Sequence, residues 1–272
     1  MTDISVIILS KNERLHMQRC LEKLAPLEPR QIFVVDCFSD DGSDQTAANL
    51  GASVVQHAWP GCYAKQFNWA LDHLPIESTW VLRLDADEYL YPETCEEVKA
   101  LMGNLPPDVT SLSLSLARVF RGGRIRHGGT AHLPMVRFFK YGIGRCEDRA
   151  MDEHIITSEG RDYRLKGEFA DDNLNSMDWW REKHRGYAKR EAADALAFER
   201  GEIRFKPIKE KYYRLPRYFR AFAYFAFRYF LKAGFLDGYA GWMWNFWQGL
   251  WYRCLVDREI GKRRCNRSAL IR

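Results

Sequence analysis

Four short apolar runs, each followed by polar residues, divide the N-terminal third of the chain. They occupy 4–10, 32–35, 52–55 and 79–84. Their length and their content of valine and isoleucine are typical of buried β-strands. Between them, apolar residues recur at helical spacing over 13–24 and 64–74. Because strands that alternate with helices build parallel sheets, the pattern predicts an α/β fold with a doubly wound, mostly parallel sheet.

The pattern changes after a predicted helix at 92–102. Residues 110–116 alternate strictly between apolar and polar, which predicts a half-exposed strand, and 134–140 predicts another strand. A long helix is expected over about 176–200. Its predicted inner face consists of Trp180, Tyr187, Ala188, Ala195 and Phe198.

Charge separates the C-terminal region from the rest. From Ile203 onward there are sixteen Lys/Arg against four Asp/Glu, whereas residues 1–202 hold 25 basic and 32 acidic residues. We therefore expect a domain at 1–202, with halves at 1–105 and 106–202, and a helical extension at 203–272. The basic extension predicts an anionic partner.

The seven cysteines are scattered, and none forms a C-x-x-C pair. This spacing favours neither a zinc site nor a disulfide framework, so a reducing cytosol is the expected compartment. The N-terminus runs directly into a strand pattern without a basic n-region, and no signal peptide is expected.

Polar residues stand at the ends of three predicted strands: Ser10, Asp36 and Asp85. The carboxyl ends of parallel strands meet at one edge of a sheet, so we expect these residues to share a crevice. Asp85 and Asp87 lie two apart, which places both carboxylates on one side if the strand continues. Hard oxygen ligands suit Mg²⁺ or Mn²⁺. A solvated acidic turn is the better explanation of an isolated D-x-D, but three converging strand ends favour a binding site.

Several segments resemble the family 2 glycosyltransferases, which adopt the nucleotide-diphospho-sugar transferase (GT-A) fold. The N-terminal matches are Ser5–Glu13, Val34–Asp36 with Ser39, Asp41, Gly42 and Ser43, then Gln66–Leu71 and Leu84–Glu88. Later segments resemble a bacterial branch that builds lipopolysaccharide cores and exopolysaccharides. These are Met151–Ile155, Lys183–Ala192 and Gly234–Gly238.

The resemblance implies a UDP-sugar donor and a Mg²⁺ or Mn²⁺ ion. Asp36 would accept hydrogen bonds from the uracil or ribose, Asp85 would contact the ribose or the metal's water shell, and Asp87 would ligate the metal. It also implies that five further residues contact the nucleotide-sugar: Ser10, Glu13, Lys65, Gln66 and Asn68. For Lys65, Gln66 and Asn68, an ordinary polar helix face remains an alternative.

Inverting transfer needs a general base for the acceptor hydroxyl. The acidic candidates after Asp87 are Asp148, Asp152 and Glu153, and the resemblance favours Glu153, with Asp152 as the alternative. Adjacent strand residues point to opposite faces, so only one of that pair should face the sugar unless a helix begins there. A capping or salt-bridging acid is the other explanation of Glu153. His154 would orient the base or contact the diphosphate, unless it is structural. The segment Phe169–Asp172 departs from the related pattern, since Ala170 stands where a histidine often precedes the acids. Asp172 is therefore expected to cap or position a loop.

The C-terminal extension is rich in aromatic residues: eighteen of the 41 residues from Tyr212 to Tyr252 are Phe, Tyr or Trp. No uncharged span reaches the roughly 20 residues that a bilayer crossing needs. Aromatic rings with arginines suit the membrane interface, so we expect residues 212–256 to contact a membrane surface. A helical hairpin packed through its rings is the alternative, and both descriptions can hold on opposite faces. Nucleic acid binding is not expected beside the enzyme motifs.

Together these expectations describe an inverting glycosyltransferase on the cytoplasmic face of the inner membrane. Its acceptor would be a lipid-linked saccharide, carried on polyprenyl diphosphate or a lipid A core. A sugar-1-phosphate nucleotidyltransferase is one alternative, but Lys11–Glu13 lacks the glycine expected after its first strand. A non-catalytic, membrane-associated nucleotide-binding scaffold is the other.

Overall fold

The computed structural model describes residues 1–130, 133–147 and 154–270, with side chains up to 265. The strands are β1 (Thr2–Ser10), β2 (Pro29–Asp36), β3 (Ser53–Gln56), β4 (Trp80–Asp85), β5 (Glu88–Leu90), β6 (Val109–Phe120), β7 (Gly123–Ile125), β8 (Pro134–Lys140), β9 (Gly144–Cys146), β10 (Ile155–Thr157) and β11 (Arg161–Asp172). The α-helices are α1 (Arg14–Glu22), α2 (Ser43–Asn49), α3 (Tyr63–His73), α4 (Pro92–Met102), α5 (Met177–Glu199), α6 (Pro207–Arg214), α7 (Phe219–Ala226), α8 (Gly238–Trp244) and α9 (Tyr252–Leu270). A 3₁₀ turn follows α1 at Ala25–Leu27 and another precedes α8 at Gly234–Asp237, and π-helical turns follow α7 at Phe227–Leu231 and α8 at Asn245–Trp251.

The chain forms two compact units. Unit 1 comprises Met1–Val119 and Ala131–Leu174, and unit 2 comprises Phe120–Thr130 and Asn175–Arg272. The expected boundary at 202 differs from this division because α5 packs on α9. Ala188, Ala192 and Ala195 of α5 lie in one apolar cluster with Val256 and Ile260 of α9.

Unit 1 is built on a mixed sheet in the order β3-β2-β1-β4-β8-β6-β11-β5. The first four strands are parallel, and Ser10 pairs in register with Asp36 while Leu9 pairs with Asp85. The predicted strand ends therefore lie side by side. The predicted fold class, an α/β fold on a mixed sheet with a C-terminal helical region, is confirmed.

Burial on both faces explains the near-continuous apolar sequence of β1. Ile4, Val6 and Ile8 join a cluster that includes residues of α1 and α4. Ile7 and Leu9 join the opposite cluster with residues of α3. Since neither face of the strand contacts water, the alternation typical of a half-exposed strand is absent there.

Strand β6 corrects one expectation, because it is buried rather than half-exposed. Its polar positions are serines, which are small enough to be enclosed and can satisfy their hydroxyls locally. Ser111 Oγ donates to Asp162 Oδ1 at 2.8 Å, and Ser113 Oγ donates to Asp162 Oδ2 at 2.6 Å. Alternating polarity therefore marks here a row of hydrogen-bonded serines.

Unit 2 is helical, and aromatic rings and ion pairs hold its helices together. Glu191 of α5 bonds Arg253 of α9, and Arg220 of α7 bonds Asp257 of α9. The predicted inner face of α5 is confirmed, since Trp180, Ala188 and Ala195 are buried and Tyr187 and Phe198 pack partly buried against the same clusters. Across the described helices, none combines the length and apolar character that a membrane span requires.

Candidate active site

The turn after β1 and the loop after β2 are joined by hydrogen bonds. Asn12 N–H donates to Ser39 Oγ at 2.8 Å, and Glu13 N–H donates to Ser43 Oγ at 2.8 Å. Asn12 itself has φ of 56°, a left-handed conformation that asparagine tolerates. The two loops thus form one rigid edge beside the strand ends.

Ser10, Glu13 and Asp36 lie at this edge with different surroundings. Asp36 is fully buried, and its carboxylate accepts from Ser39 N–H at 2.8 Å and Ser39 Oγ at 2.5 Å. Ser10 is buried, and its hydroxyl has no partner within the part of the chain that the structure describes. Glu13 accepts from the Nδ1 of buried His16 at 2.5 Å. Asp36 therefore fixes its own loop, whereas Ser10 has unused hydrogen-bonding capacity.

Asp85 and Asp87 flank the turn between β4 and β5, and both side chains remain partly exposed. Asp85 Oδ1 is enclosed and has no hydrogen-bond partner among the described residues. Burial raises the pKa of Asp87 to about 6, and the charges of Asp171 and Asp85 raise it in the same direction. Uncompensated negative charge is thus concentrated at this turn.

The end of β11 brings two residues to this turn: Asp172, and Asn173, which the sequence had not assigned. Asn173 Nδ2 donates to Asp87 Oδ2 at 2.9 Å, and Asp172 N–H donates to the Asp87 carbonyl at 3.1 Å. Asp172 also pairs with Arg19 of α1 at 2.7 Å, which agrees with a positioning role. In the sequence, only the position of Asn173 directly after two acids could have suggested that it belongs to the site, because Asp87 lies 86 residues away in the chain.

Helix α1 is tied to the same segment. Leu174 N–H donates to His16 Nε2 at 2.9 Å, so the ring proton of His16 is on Nδ1 and faces Glu13. Together with the pair between Arg19 and Asp172, this fixes the residues after β11 against α1. The orientation of Asp87 therefore depends on contacts from two distant elements.

Glu88 closes the turn from the inside. It is buried, accepts from Asp85 N–H at 3.0 Å and forms an ion pair with buried Arg137 of β8. The Arg137 guanidinium also lies 4.4 Å from the ring centre of Phe169. Glu88 is thus occupied by structural bonds, in contrast to Asp85 and Asp87.

The arrangement fits a divalent cation held partly by its substrate. Within 1–130, 133–147 and 154–270, no three His, Cys, Asp or Glu side chains are grouped to hold a metal ion. Mg²⁺ is commonly bound through one or two carboxylates with phosphate and water completing the shell. The enclosed, unpartnered oxygen of Asp85 and the raised pKa of Asp87 fit a site where a bound cation would offset the negative charge.

The polar residues of α3 are placed differently. Gln66 is buried and bonds His57 Nδ1 at 2.7 Å and Cys37 Sγ at 3.2 Å. Asn68 bonds the backbone of Cys146 in both directions at 2.9 Å. Lys65 is exposed. Both amides therefore hold unit 1 together, and nucleotide contact by these three residues stays a prediction.

The predicted bases Glu153 and Asp152 lie outside the described residues. His154 is exposed, and its carbonyl accepts from Glu147 N–H at 2.8 Å. Its assigned roles stay untested.

Comparison with known proteins assigns the family. The sequence model described as Glycosyl transferase family 2 matches residues 5–154, just over half of the chain. The chain belongs to glycosyl transferase family 2. The matched region contains all three strand ends and the Asp85–Asp87 turn.

Relatives and solved structures match over shorter stretches. An uncharacterized glycosyltransferase of Rickettsia typhi is 30% identical over 123 residues, which cover 45% of this chain and 41% of the relative. One of Rickettsia conorii is 34% identical over 101 residues, covering 37% and 34%. This chain thus spans about two fifths or less of these relatives' length. The solved structure of Mycobacterium tuberculosis glucosyl-3-phosphoglycerate synthase with Mn²⁺, UDP-glucose and phosphoglyceric acid is 18% identical, with a TM-score of 0.36, over 42% of this chain and 43% of that one.

Proposed function

We propose that this chain is an inverting glycosyltransferase that moves a sugar from a UDP-sugar to a lipid-linked saccharide. The acceptor would belong to bacterial surface polysaccharide synthesis (exopolysaccharide, capsule or lipopolysaccharide) and would be met at the cytoplasmic face of the inner membrane. The observation that carries the proposal is the enclosed, unpartnered oxygen of Asp85 next to Asp87 at the end of β4, beside the aligned ends of β1 and β2.

Asp85 and Asp87 would hold a Mg²⁺ or Mn²⁺ ion. When bound, the ion would supply positive charge that stabilises the diphosphate leaving group. Asn173 would keep the Asp87 carboxylate oriented, and Glu88 with Arg137 would keep the turn closed. Ser10, Glu13 and Asp36 would line the part of the site that binds the nucleotide. Asp36 would contribute by holding the loop after β2, through its hydrogen bond from Ser39 N–H.

Glu153 would take the proton from the acceptor hydroxyl as that oxygen attacks the anomeric carbon, with Asp152 as the alternative base. The bond from that carbon to the UDP oxygen breaks in the same step, and UDP leaves. The family match includes both residues. The basic, aromatic composition of unit 2 supports an acceptor that stays in a membrane.

The proposal is tested by incubating the protein with a panel of UDP-sugars and Mn²⁺ and measuring UDP release, with and without EDTA. We expect metal-dependent release with at least one donor, and its loss in Asp87→Ala. Glu77→Gln is a matched control, because Glu77 is an exposed acid paired with Arg30 just before β4. If no UDP-sugar is bound or hydrolysed, and Asp87→Ala binds UDP like the wild type, the proposal fails.

A further inference from the structure

Helix α7 and the π-helical turn after it have an inverted distribution of side chains. Phe219, Phe222 and Phe230 are 61%, 57% and 60% exposed, whereas Arg220 and Arg228 are each only 2% exposed. A helix at a water-facing surface normally buries its apolar residues and exposes its charges. The outer face of this segment is therefore suited to an apolar environment.

The buried arginines are held by bonds within unit 2. Arg220 Nε donates to Asp257 Oδ1 at 2.8 Å, and its guanidinium lies 4.6 Å from the ring centre of Tyr213. Arg228 Nε donates to the Gly128 carbonyl at 3.0 Å. Because breaking a buried charge pair is costly, rotating the helix to hide its phenylalanines is unfavourable. The outward orientation of the rings is thus fixed by the interior.

The next segment extends the same surface. Leu231, Leu236, Tyr239 and Trp242 are also exposed. The ring of Tyr229 lies 5.1 Å from that of Phe230 and 6.2 Å from that of Phe235, and so joins the two segments. We call the exposed large apolar side chains between residues 219 and 242 the aromatic face. An apolar surface with this many large side chains marks an interaction site.

The exposed charges of residues 203–242 have one sign. All of these residues are described, and their two acids, Glu210 and Asp237, are not among the exposed side chains, since Glu210 is half-buried. Asp237 is almost fully covered and accepts from His127 Nδ1 at 2.7 Å. The exposed basic residues of this range are Arg204, Lys206, Lys211, Arg214, Arg217 and Lys232.

We propose that the aromatic face inserts into one leaflet of an anionic membrane, with the basic residues contacting lipid phosphates. Aromatic rings and cations together suit the headgroup region, where apolar surface leaves water and positive charge meets anionic lipid. A second copy of the chain fits this surface less well, because a symmetric contact would bring the exposed basic residues of both copies together, and like charges repel. The inference deepens the proposed function by naming the partner of unit 2.

Flotation of the full chain with phosphatidylcholine vesicles, with and without phosphatidylglycerol, tests this proposal. No sugar nucleotide is added, so the result is independent of UDP release. We expect binding to the anionic vesicles, weakened by about tenfold or more in Phe222→Glu/Phe230→Glu. Leu50→Glu, an exposed leucine of unit 1, is the matched control and should bind like the wild type. Lys211→Gln/Arg214→Gln should reduce the preference for anionic lipid and its salt dependence.

Circular dichroism of each variant establishes that it is folded. Three results would overturn the proposal: no flotation of the wild type, undiminished flotation of folded Phe222→Glu/Phe230→Glu, or binding that ignores lipid charge. A concentration-dependent dimer that the same double substitution abolishes, without vesicle binding, would identify a second copy as the occupant instead.

Discussion

At the scale of single residues, three acids of one turn are held in three different ways. Glu88 is buried against Arg137, Asp87 accepts from Asn173, and Asp85 keeps one enclosed oxygen without a partner among the described residues. A residue's identity alone cannot assign these roles, because all three are carboxylates. Their surroundings separate a structural acid from two that are suited to bind a cation.

Asn173→Ala removes the 2.9 Å hydrogen bond to Asp87. We expect the Mn²⁺ concentration needed for half-maximal UDP binding to rise by about threefold to tenfold, since such a bond contributes about 1 kcal/mol. Calorimetric titration of UDP at several Mn²⁺ concentrations measures this half-maximal concentration. Asn104→Ala is the control, because the exposed Asn104 side chain donates to the Ala100 carbonyl of α4 at 3.3 Å. Equal metal dependence in the two variants would remove Asn173 from the site.

Glu153→Gln tests the assignment of the base. The amide keeps the size of the side chain but cannot accept the proton, so transfer should fall by about 10²-fold or more while UDP affinity stays near that of the wild type. Asp152→Asn is the paired comparison. Retained turnover in Glu153→Gln, together with loss in Asp152→Asn, would move the role to Asp152.

At the scale of elements, strand β6 shows how polar residues enter a core. Ser111 and Ser113 are buried, and both hydroxyls depend on the carboxylate of Asp162 on the neighbouring strand β11. Two parallel strands are thereby joined through side chains as well as through their backbones. Strict alternation of serine and leucine did not distinguish this arrangement from a solvent-facing strand, because the partner lies about fifty residues later.

Asp162→Ala leaves both serine hydroxyls without their acceptor. The free energy of unfolding should fall by about 1–3 kcal/mol, because two hydrogen bonds to a carboxylate are lost. Urea denaturation at pH 7 measures the change. Glu159→Ala, at an exposed position of the turn before β11, should leave the denaturation midpoint close to that of the wild type.

At the scale of the whole molecule, the chain combines a family 2 unit with a helical unit that has its own core. Glu191 lies at the centre of unit 2 and accepts from Tyr213 Oη at 2.9 Å, Tyr252 Oη at 2.6 Å and Arg253 at 2.8 Å. Burial alone would raise the pKa of Glu191, but Arg253, Lys209 and the two tyrosines outweigh it and lower the pKa below 4.5. The folded unit therefore favours the ionised carboxylate.

This shift predicts how unit 2 responds to acid. A depressed pKa contributes stability that is fully present above the unfolded value of 4.5 and is lost as pH falls through the lower folded value. Thermal unfolding followed by tryptophan fluorescence between pH 7 and pH 3 should show this loss. Glu191→Gln should flatten that part of the pH dependence, and an unchanged profile would contradict the assignment.

The sequence by itself determined the alternation of strands and helices, the alignment of Ser10, Asp36 and Asp85, and the basic, aromatic character of the C-terminal region. These features are local, because periodicity and strand ends depend on neighbouring residues and parallel strands share one direction. The boundary between the units was less predictable, since α5 belongs with α9 only through packing between residues far apart in the chain.

Only the tertiary structure decided which acids of the turn are occupied and which face of α7 is exposed. Asn173 reaches Asp87 across 86 residues, and Asp257 holds Arg220 across 37. No local pattern encodes such partners, because a side chain's environment depends on which surfaces meet after folding. The physical reason is that a buried charged group needs a partner that satisfies it. The position of that partner sets the orientation of the element and therefore which of its side chains remain exposed.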